Sequence, residues 1–185
     1  MNLVELINDL NFNVLFPLFI GFKFLLETYL KQRNIQSMDD NKEAIPERFI
    51  GVVTEEEYKK SINYNTERIR FSMLTALISV GVLLLFTTGG LLNFLTKIVQ
   101  EVTQSNVVGI ILLGLFIVLI DEIIEIPLAI YSTFYLEEKY GFNKTTTKTF
   151  IQDLIKSLLI SIIFSSVLYA VVISIIERLG DNWWI

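Results

Sequence analysis

Three carboxylates lie within one of the most apolar stretches of the sequence. Asp121, Glu122 and Glu125 interrupt the run "LFIVLIDEIIEIPLAIY", and on a helix Glu125 shares a side with each of the other two. A charge at bilayer depth costs about 2.5–3.5 kcal/mol on insertion scales. Clustered acids also repel one another, so protonation, pairing or hydration must relieve the charge. Three arrangements remain open: a hydrated internal cavity, a position near the cytoplasmic membrane surface, or a metal site.

A second group of chemically active side chains lies in "FYLEEKYGFNKTTTKTF", residues 134–150. Glu137 and Glu138 fall in the last turn of a predicted helix, where the negative end of the helix dipole disfavours acids. We therefore expect a cation close to them, supplied by this stretch itself or by the basic residues of 59–70.

The composition excludes several kinds of chemistry. The 185 residues contain no cysteine and no histidine. Disulfides and thiolate metal sites are therefore excluded, and the chain lacks both the usual general base at neutral pH and the commonest zinc ligand. A net charge of −5 and the lack of a Lys/Arg-rich tract argue against a nucleic-acid partner.

Four apolar stretches must position these side chains. Each is near or above the roughly 20 helical residues that cross a hydrocarbon core of about 30 Å, and 52% of the chain is hydrophobic. Apolar residues surround each stretch on every side, which is typical of membrane spans. The sequence predicts an all-α, multi-pass transmembrane helical bundle with four spans and a cytoplasmic helix, the spans lying at about 13–30, 71–95, 107–135 and 151–176.

The distribution of Lys and Arg predicts the orientation of these spans. Residues 1–13 contain neither, whereas residues 31–70 contain eight. By the positive-inside rule the N-terminus lies outside, and the loops 31–70 and 136–150 are cytoplasmic. We expect an integral protein that has the lipid bilayer as its surroundings, in the bacterial inner membrane in preference to the endoplasmic reticulum.

Local patterns predict where individual helices begin and end. Thr54 with Glu57 three residues later forms a capping box, which predicts a cytoplasmic helix that continues into the second span. Gly141 is predicted as the residue that ends the third span. Thr149 with Gln152 forms a second capping-box pattern, which predicts the start of the fourth.

Residues 127–156, "PLAIYSTFYLEEKYGFNKTTTKTFIQDLIK", resemble the N-terminal membrane region of the type 1 CAAX prenyl proteases, which are integral-membrane zinc metalloproteases. The family pattern is a Pro, a Tyr and a Phe, then Glu-Glu-Lys, an aromatic residue or His, Gly-Phe-Asn and a later Asp. A block at 56–72 is also similar to the family, and a block at 26–34 is more weakly so. The matching residues are Pro127, Tyr131, Phe134, Glu137, Glu138, Lys139, Tyr140, Gly141, Phe142, Asn143 and Asp153, with Tyr58, Lys60, Ser61, Tyr64 and Phe71 in the second block.

The resemblance implies that residues 1–185 are the N-terminal transmembrane domain of such a protease, with spans arranged around an intramembrane chamber. The family holds zinc with His-Glu-x-x-His and a downstream Glu, and this chain has no histidine for that motif. We therefore expect no catalytic residue, metal ligand or cofactor here, and no activity of the chain alone. Zinc would belong to a C-terminal catalytic metalloprotease region that follows, and a peptide would be the substrate.

The resemblance also implies roles for both groups of side chains. Asp121, Glu122 and Glu125 would line the chamber, where they would hydrate it or receive a cationic segment of the substrate. The turn after the third span would dock the catalytic region. Two alternatives are a non-enzymatic four-span scaffold or transport subunit with an acidic ion path, and a degenerate family member that binds membrane proteins. The residues of the predicted docking turn are Glu137, Glu138, Lys139, Tyr140, Gly141, Phe142 and Asn143.

Overall fold

Helices joined by short connections make up the part of the chain that its computed structural model describes, residues 12–43 and 45–180. These residues form no strand, apart from one isolated bridge between Ile50 and Val53, so the all-α prediction is confirmed. The helices are α1 (Phe12–Asp40), α2 (Glu55–Thr87), α3 (Leu91–Val102), α4 (Asn106–Tyr131) and α5 (Thr147–Leu179); a 3₁₀ turn covers Glu47–Phe49, and a π-helical segment, Ser132–Glu137, continues α4.

Three helices in the described part are long and apolar enough to cross a membrane. They cover Glu55–Thr87, Asn106–Glu137 and Thr147–Ile176. Helix α1 contains the first predicted span but is not one of these three. A multi-pass membrane chain is therefore supported, while the number of four spans stays a prediction.

The stretch predicted as the second span, 71–95, is divided between two helices. Helix α2 ends at Thr87, and the N–H groups of Thr88 and Gly89 both donate to the carbonyl of Leu84, at 3.0 and 2.8 Å. Gly90 follows with a φ of 81°, a conformation that favours glycine. Apolar residues continue across this turn into α3. The end of the span predicted from hydropathy is therefore several residues too late.

The helix starts were predicted with mixed success. The capping box of Thr54 and Glu57 is confirmed: the Glu57 N–H donates to Thr54 Oγ1 at 3.2 Å, and the Thr54 N–H donates to Glu57 Oε2 at 2.9 Å. The predicted box of Thr149 and Gln152 is wrong, because α5 begins at a different threonine. Thr146 is the cap, and its Oγ1 accepts from the Thr149 N–H at 3.2 Å.

Helices α1 and α2 pack as an antiparallel pair in the first of two compact units. Lys31 Nζ donates to the backbone carbonyl of Ser72 at 3.3 Å. Farther along, the Tyr58 hydroxyl donates to the carbonyl of Asn41 at 3.4 Å. From the first contact to the second, the residue number increases along α1 and decreases along α2. The two helices are therefore antiparallel.

Helices α3, α4 and α5 form the second unit, in which α4 packs antiparallel against α5. Gly114 of α4 is buried under the ring of Tyr169 of α5, and a Cβ added to this glycine would lie within 2.8 Å of three ring carbons. Near the opposite end, the rings of Phe134 and Phe150 meet edge to face with centroids 5.3 Å apart. A residue without a side chain thus allows the two helices to approach closely.

Candidate functional site

The turn after α4 has a specific backbone geometry. Gly141 has a φ of 72°, as predicted for the residue that ends this helix. The Phe142 N–H donates to the carbonyl of Glu137 at 2.9 Å, and the Gly141 N–H donates to the carbonyl of Glu138 at 3.0 Å. These two bonds are the 6→1 and 5→2 pair of a Schellman motif, which satisfies carbonyls that a helix end otherwise leaves unpaired.

Side-chain hydrogen bonds of Asn143 stabilise the same turn. Its Nδ2 donates to Glu138 Oε2 at 2.9 Å, and its Oδ1 accepts from the Thr145 N–H at 2.7 Å. The partner of the Glu138 carboxylate within the turn is therefore an amide, whereas the sequence had led us to expect a cation. The motif contains an asparagine five residues after Glu138, which could have indicated this bond. The prediction considered only cations as partners of the acid.

Two buried side chains attach the turn to the rest of its unit. Leu136 is 2% exposed and Tyr140 is 8% exposed, whereas the neighbouring Glu138 and Lys139 side chains are exposed. Lys139 Nζ lies 5.4 Å from the centroid of the Tyr140 ring, within the range of a cation–π interaction. The turn thus has a packed apolar side and a charged side directed away from the core.

The helix changes its hydrogen-bonding pattern immediately before this turn. Residues Ser132–Glu137 are π-helical, and the rings of Tyr131 and Tyr135 stack with centroids 4.9 Å apart. Short π-helical segments within α-helices are rare and frequently occur at functional sites. The segment therefore supports a functional role for the turn independently of the resemblance.

The three acids of α4 lie far from the turn. Asp121 and Glu125 are exposed, and Glu122 is half-buried. Within the described ranges no hydrogen bond or salt bridge involves any of the three. Glu137 lies twelve positions after Glu125, which corresponds to about 18 Å along a helix. The two predicted groups therefore do not form one site.

The side chains of this chain do not fit a zinc centre of the family type. The sequence contains no histidine and no cysteine, and within the described residues no three acidic side chains converge as metal ligands. Zinc sites in proteins rely on imidazole or thiolate ligands, supplemented by carboxylates. The residues described here therefore offer no ligand set of that type.

The second family block contributes to the connection between α1 and α2. Lys59 Nζ lies 3.1 Å from Glu43 Oε2, and Asn65 Nδ2 donates to the carbonyl of Ser61 at 3.0 Å. Both interactions lie at the surface, and exposed ion pairs contribute about 0–1 kcal/mol. The Lys59–Glu43 pair thus joins the connection to α2, and the Asn65–Ser61 bond lies within α2.

Comparison with known proteins identifies the family. Residues 34–185 match the family model described as the CAAX prenyl protease N-terminal region with five membrane helices. The chain is 29% identical over 178 residues to the probable CAAX prenyl protease 1 of Schizosaccharomyces pombe, covering 86% of this chain and 36% of that protein. It is also 29% identical over 183 residues to the CAAX prenyl protease 1 homolog of Homo sapiens, covering 91% and 37%.

A solved structure has the same fold. The crystal structure of Ste24p from S. mikatae matches with a TM-score of 0.83 and 24% sequence identity, over 92% of this chain and 41% of that one. The chain thus spans little more than a third of the length of the curated relatives compared here. Because the family model covers residues 34–185, the greater part of the sequence, the chain belongs to the CAAX prenyl protease N-terminal family of integral, multi-pass membrane proteins.

Proposed function

We propose that this chain is the membrane module of a zinc metalloendopeptidase of the CAAX prenyl protease type. In this proposal a catalytic region follows in a longer protein, supplies the zinc site and cleaves peptide substrates. The chain covers 36% of the S. pombe relative, which leaves ample sequence for such a region in proteins of that length. The chain alone would be inactive.

The family match over residues 34–185 carries this proposal, and a docking role within it is supported by the ordered turn at 137–143. Its backbone is held by the Schellman bonds, its Glu138 carboxylate is held by Asn143, and Leu136 and Tyr140 are buried beneath it. Exposed charges at the end of a membrane helix are usually mobile and lose side-chain entropy on binding. A charge that is already oriented loses less, so we propose that the turn docks the catalytic region.

Replacing Glu138 by glutamine in the longer protein tests the docking role. Glutamine retains a side-chain oxygen that can accept the Asn143 hydrogen bond, so the turn geometry is kept while the negative charge is lost. We expect kcat/KM for zinc-dependent cleavage of a prenylated peptide to fall about tenfold, which corresponds to about 1.4 kcal/mol. The rates are measured on purified protein in lipid vesicles, with zinc content determined in parallel.

The control for this experiment is Glu56→Gln, which removes an exposed carboxylate from the first turn of α2. Its cleavage rate is expected to stay within about twofold of the parent, since surface substitutions usually change stability by less than about 0.5 kcal/mol. A Glu138→Gln protein that cleaves as fast as the parent contradicts the docking role. A longer protein that neither binds zinc nor cleaves peptides contradicts the metalloprotease function itself and favours the scaffold or transport alternative.

We further propose that Asp121 and Glu125 line a hydrated intramembrane chamber. The two acids are exposed and four residues apart on one side of α4. An unpaired charge at bilayer depth costs far less when it faces water than when it faces lipid. Glu122 is half-buried and lies on a neighbouring part of the helix surface, so it contributes less to the same lining.

The orientation proposed from charge is testable with single cysteines, because the chain itself has none. Lys148→Cys should react with a membrane-impermeant maleimide only after the cytoplasmic face is opened, and Lys97→Cys should react in intact cells. Both lysines are exposed, which makes these positions suitable for labelling. The reverse pattern would contradict the orientation. Location in a bacterial inner membrane stays a prediction.

A further inference from the structure

A cleft of about 620 Å³ opens among α3, α4 and α5, within the second compact unit. Pockets of about 300–1,000 Å³ are the usual size for small-molecule binding. The cleft belongs to neither group of residues discussed above. It lies at the connection between α3 and α4, at the opposite end of α4 from the docking turn, and its last lining residue on α4, Leu113, is eight positions before Asp121.

Each helix contributes one face to the cleft. Residues 96, 99, 100 and 103 line it from α3 and its C-terminal end, and residues 106, 109, 110 and 113 line it from α4. Both sets follow the i, i+3, i+4, i+7 spacing of a single helix face. Ile173 and Ile176 complete the wall from α5. All of the lining residues are uncharged, and the two charged residues of α3, Lys97 and Glu101, are exposed outside the lining.

The polarity of the cleft changes with depth. Gln100, Gln104 and Asn106 are exposed and form the mouth, whereas Leu113 is half-buried and Ile173 is buried. From Asn106 to Leu113 the wall of α4 rises about 10 Å. The exposed part of the cleft therefore carries three amides, and its buried part is lined by hydrocarbon side chains.

The amides at the mouth have no hydrogen bonds to the described residues and are fully available to a ligand, whereas the lining hydroxyl groups already take part in hydrogen bonds within the chain. Ser105 Oγ accepts from the Val108 N–H at 3.4 Å, and Thr96 Oγ1 donates to the Leu92 carbonyl at 2.8 Å. Within the described part of the chain, the side chains of Gln100, Gln104 and Asn106 make no hydrogen bond. Each amide offers two donors and an acceptor, so together they can bind a group that both donates and accepts.

We propose that this cleft binds an uncharged lipid that has a hydroxyl-bearing head group and a hydrocarbon tail, of the monoacylglycerol type. The head group exchanges hydrogen bonds with the three amides, and the first part of the tail lies against Leu113, Ile173 and Ile176. A phosphate or carboxylate head group would find no cation among the lining residues to pair with its charge. Helices α4 and α5 are long and apolar enough to cross a membrane, so the surrounding bilayer is a direct source of such a ligand.

Photolabelling of the longer protein proposed above tests the site. The protein is placed in phosphatidylcholine vesicles with a monoacylglycerol carrying a diazirine near its head group, irradiated and mapped by peptide mass spectrometry. We expect labels concentrated in residues 96–113 and 173–176, and we expect unlabelled monoacylglycerol to compete. A fatty acid probe with the same tail should label these residues about tenfold less, because its carboxylate has no cation to pair with there.

Two tryptophan variants distinguish this cleft from general lipid contact. Ile110→Trp places an indole inside the cleft and should reduce labelling about tenfold. Ile160→Trp is the control, because Ile160 is 66% exposed on α5 and lies outside the cleft, so its labelling should match the parent. Labels spread evenly over the outer surfaces of the helices would overturn the proposal. So would an unlabelled cleft in the unaltered protein, which would mean that other parts of the longer chain fill it.

Discussion

Gly114→Ala is expected to destabilise the unit of α3, α4 and α5 by about 1–3 kcal/mol, the usual range for overpacking a tight contact. The added Cβ would lie within 2.8 Å of three ring carbons of Tyr169, and real Cβ atoms essentially never lie that close to another heavy atom. The ring must move or the helices must separate, and either change loses packing. Thermal unfolding of the purified protein in a fixed detergent measures the effect as a lowered Tm.

Gly81→Ala in α2 is the matched control. A Cβ added to Gly81 meets nothing within 4 Å, and the residue lies inside a helix. Alanine is favoured over glycine in helix interiors by roughly 0.5–1 kcal/mol in soluble proteins, so this variant is expected to be neutral or slightly stabilising. The same substitution thus has opposite expected signs at two helical glycines, and only the neighbouring ring distinguishes them.

A second substitution assigns the effect to Tyr169. Tyr169→Ala alone removes packing and is itself destabilising, but in its presence the alanine at 114 no longer meets a ring. The double variant is therefore expected to be more stable than the sum of the two single effects, by a coupling of about 0.5–3 kcal/mol. Simple additivity would show that the cost of Gly114→Ala arises elsewhere and would contradict the packing described here.

Under the proposed function, neutralising Asp121 and Glu125 together should lower peptide cleavage by the proposed longer protein without raising its stability. In the double variant Asp121→Asn with Glu125→Gln, a hydrated chamber would lose charges that hold water and receive cationic groups. We expect kcat/KM to fall about tenfold, which corresponds to about 1.4 kcal/mol. Cleavage of a prenylated peptide and the Tm are both measured. Cleavage tests the role of the acids in the chamber, and the Tm tests whether they face water or lipid.

The sign of the stability change decides where these acids face. If they faced lipid, each charge would cost about 2.5–3.5 kcal/mol on insertion scales, and their removal would raise the Tm clearly. A raised Tm with unchanged cleavage would therefore contradict the chamber role. Glu122→Gln is the control, because this half-buried neighbour tests the loss of one carboxylate from the same turn of α4. Its effect on cleavage should be the smallest of the three positions.

Features encoded within a few consecutive residues were predictable. The capping box of Thr54 and Glu57 and the helix end at Gly141 were both predicted, because each depends on hydrogen bonds within one turn of the chain. Thr149 shows the limit of this reasoning. Four threonines between residues 145 and 149 are possible caps. The Thr145 N–H donates to Asn143 Oδ1, so Thr145 still belongs to the turn, and Thr146 is the cap.

Hydropathy predicted the membrane helices but not their ends. The apolar run from Phe71 continues through Leu95, although α2 stops at Thr87 and α3 begins at Leu91. Between them the chain turns at Gly90, whose positive φ is a backbone property that an average over apolar residues does not register. The amide partner of Glu138 was missed for a related reason, since charge counting considered only cations.

The sequence by itself determined that this is an all-helical membrane chain and which family it belongs to, because hydropathy, local caps and motifs are properties of neighbouring residues. Only the tertiary structure decided how α4 meets α5. The contact between Gly114 and Tyr169 joins residues 55 positions apart, and the cleft joins three helices. Such contacts depend on the shapes of distant side chains brought together by packing, which no local pattern in the sequence records.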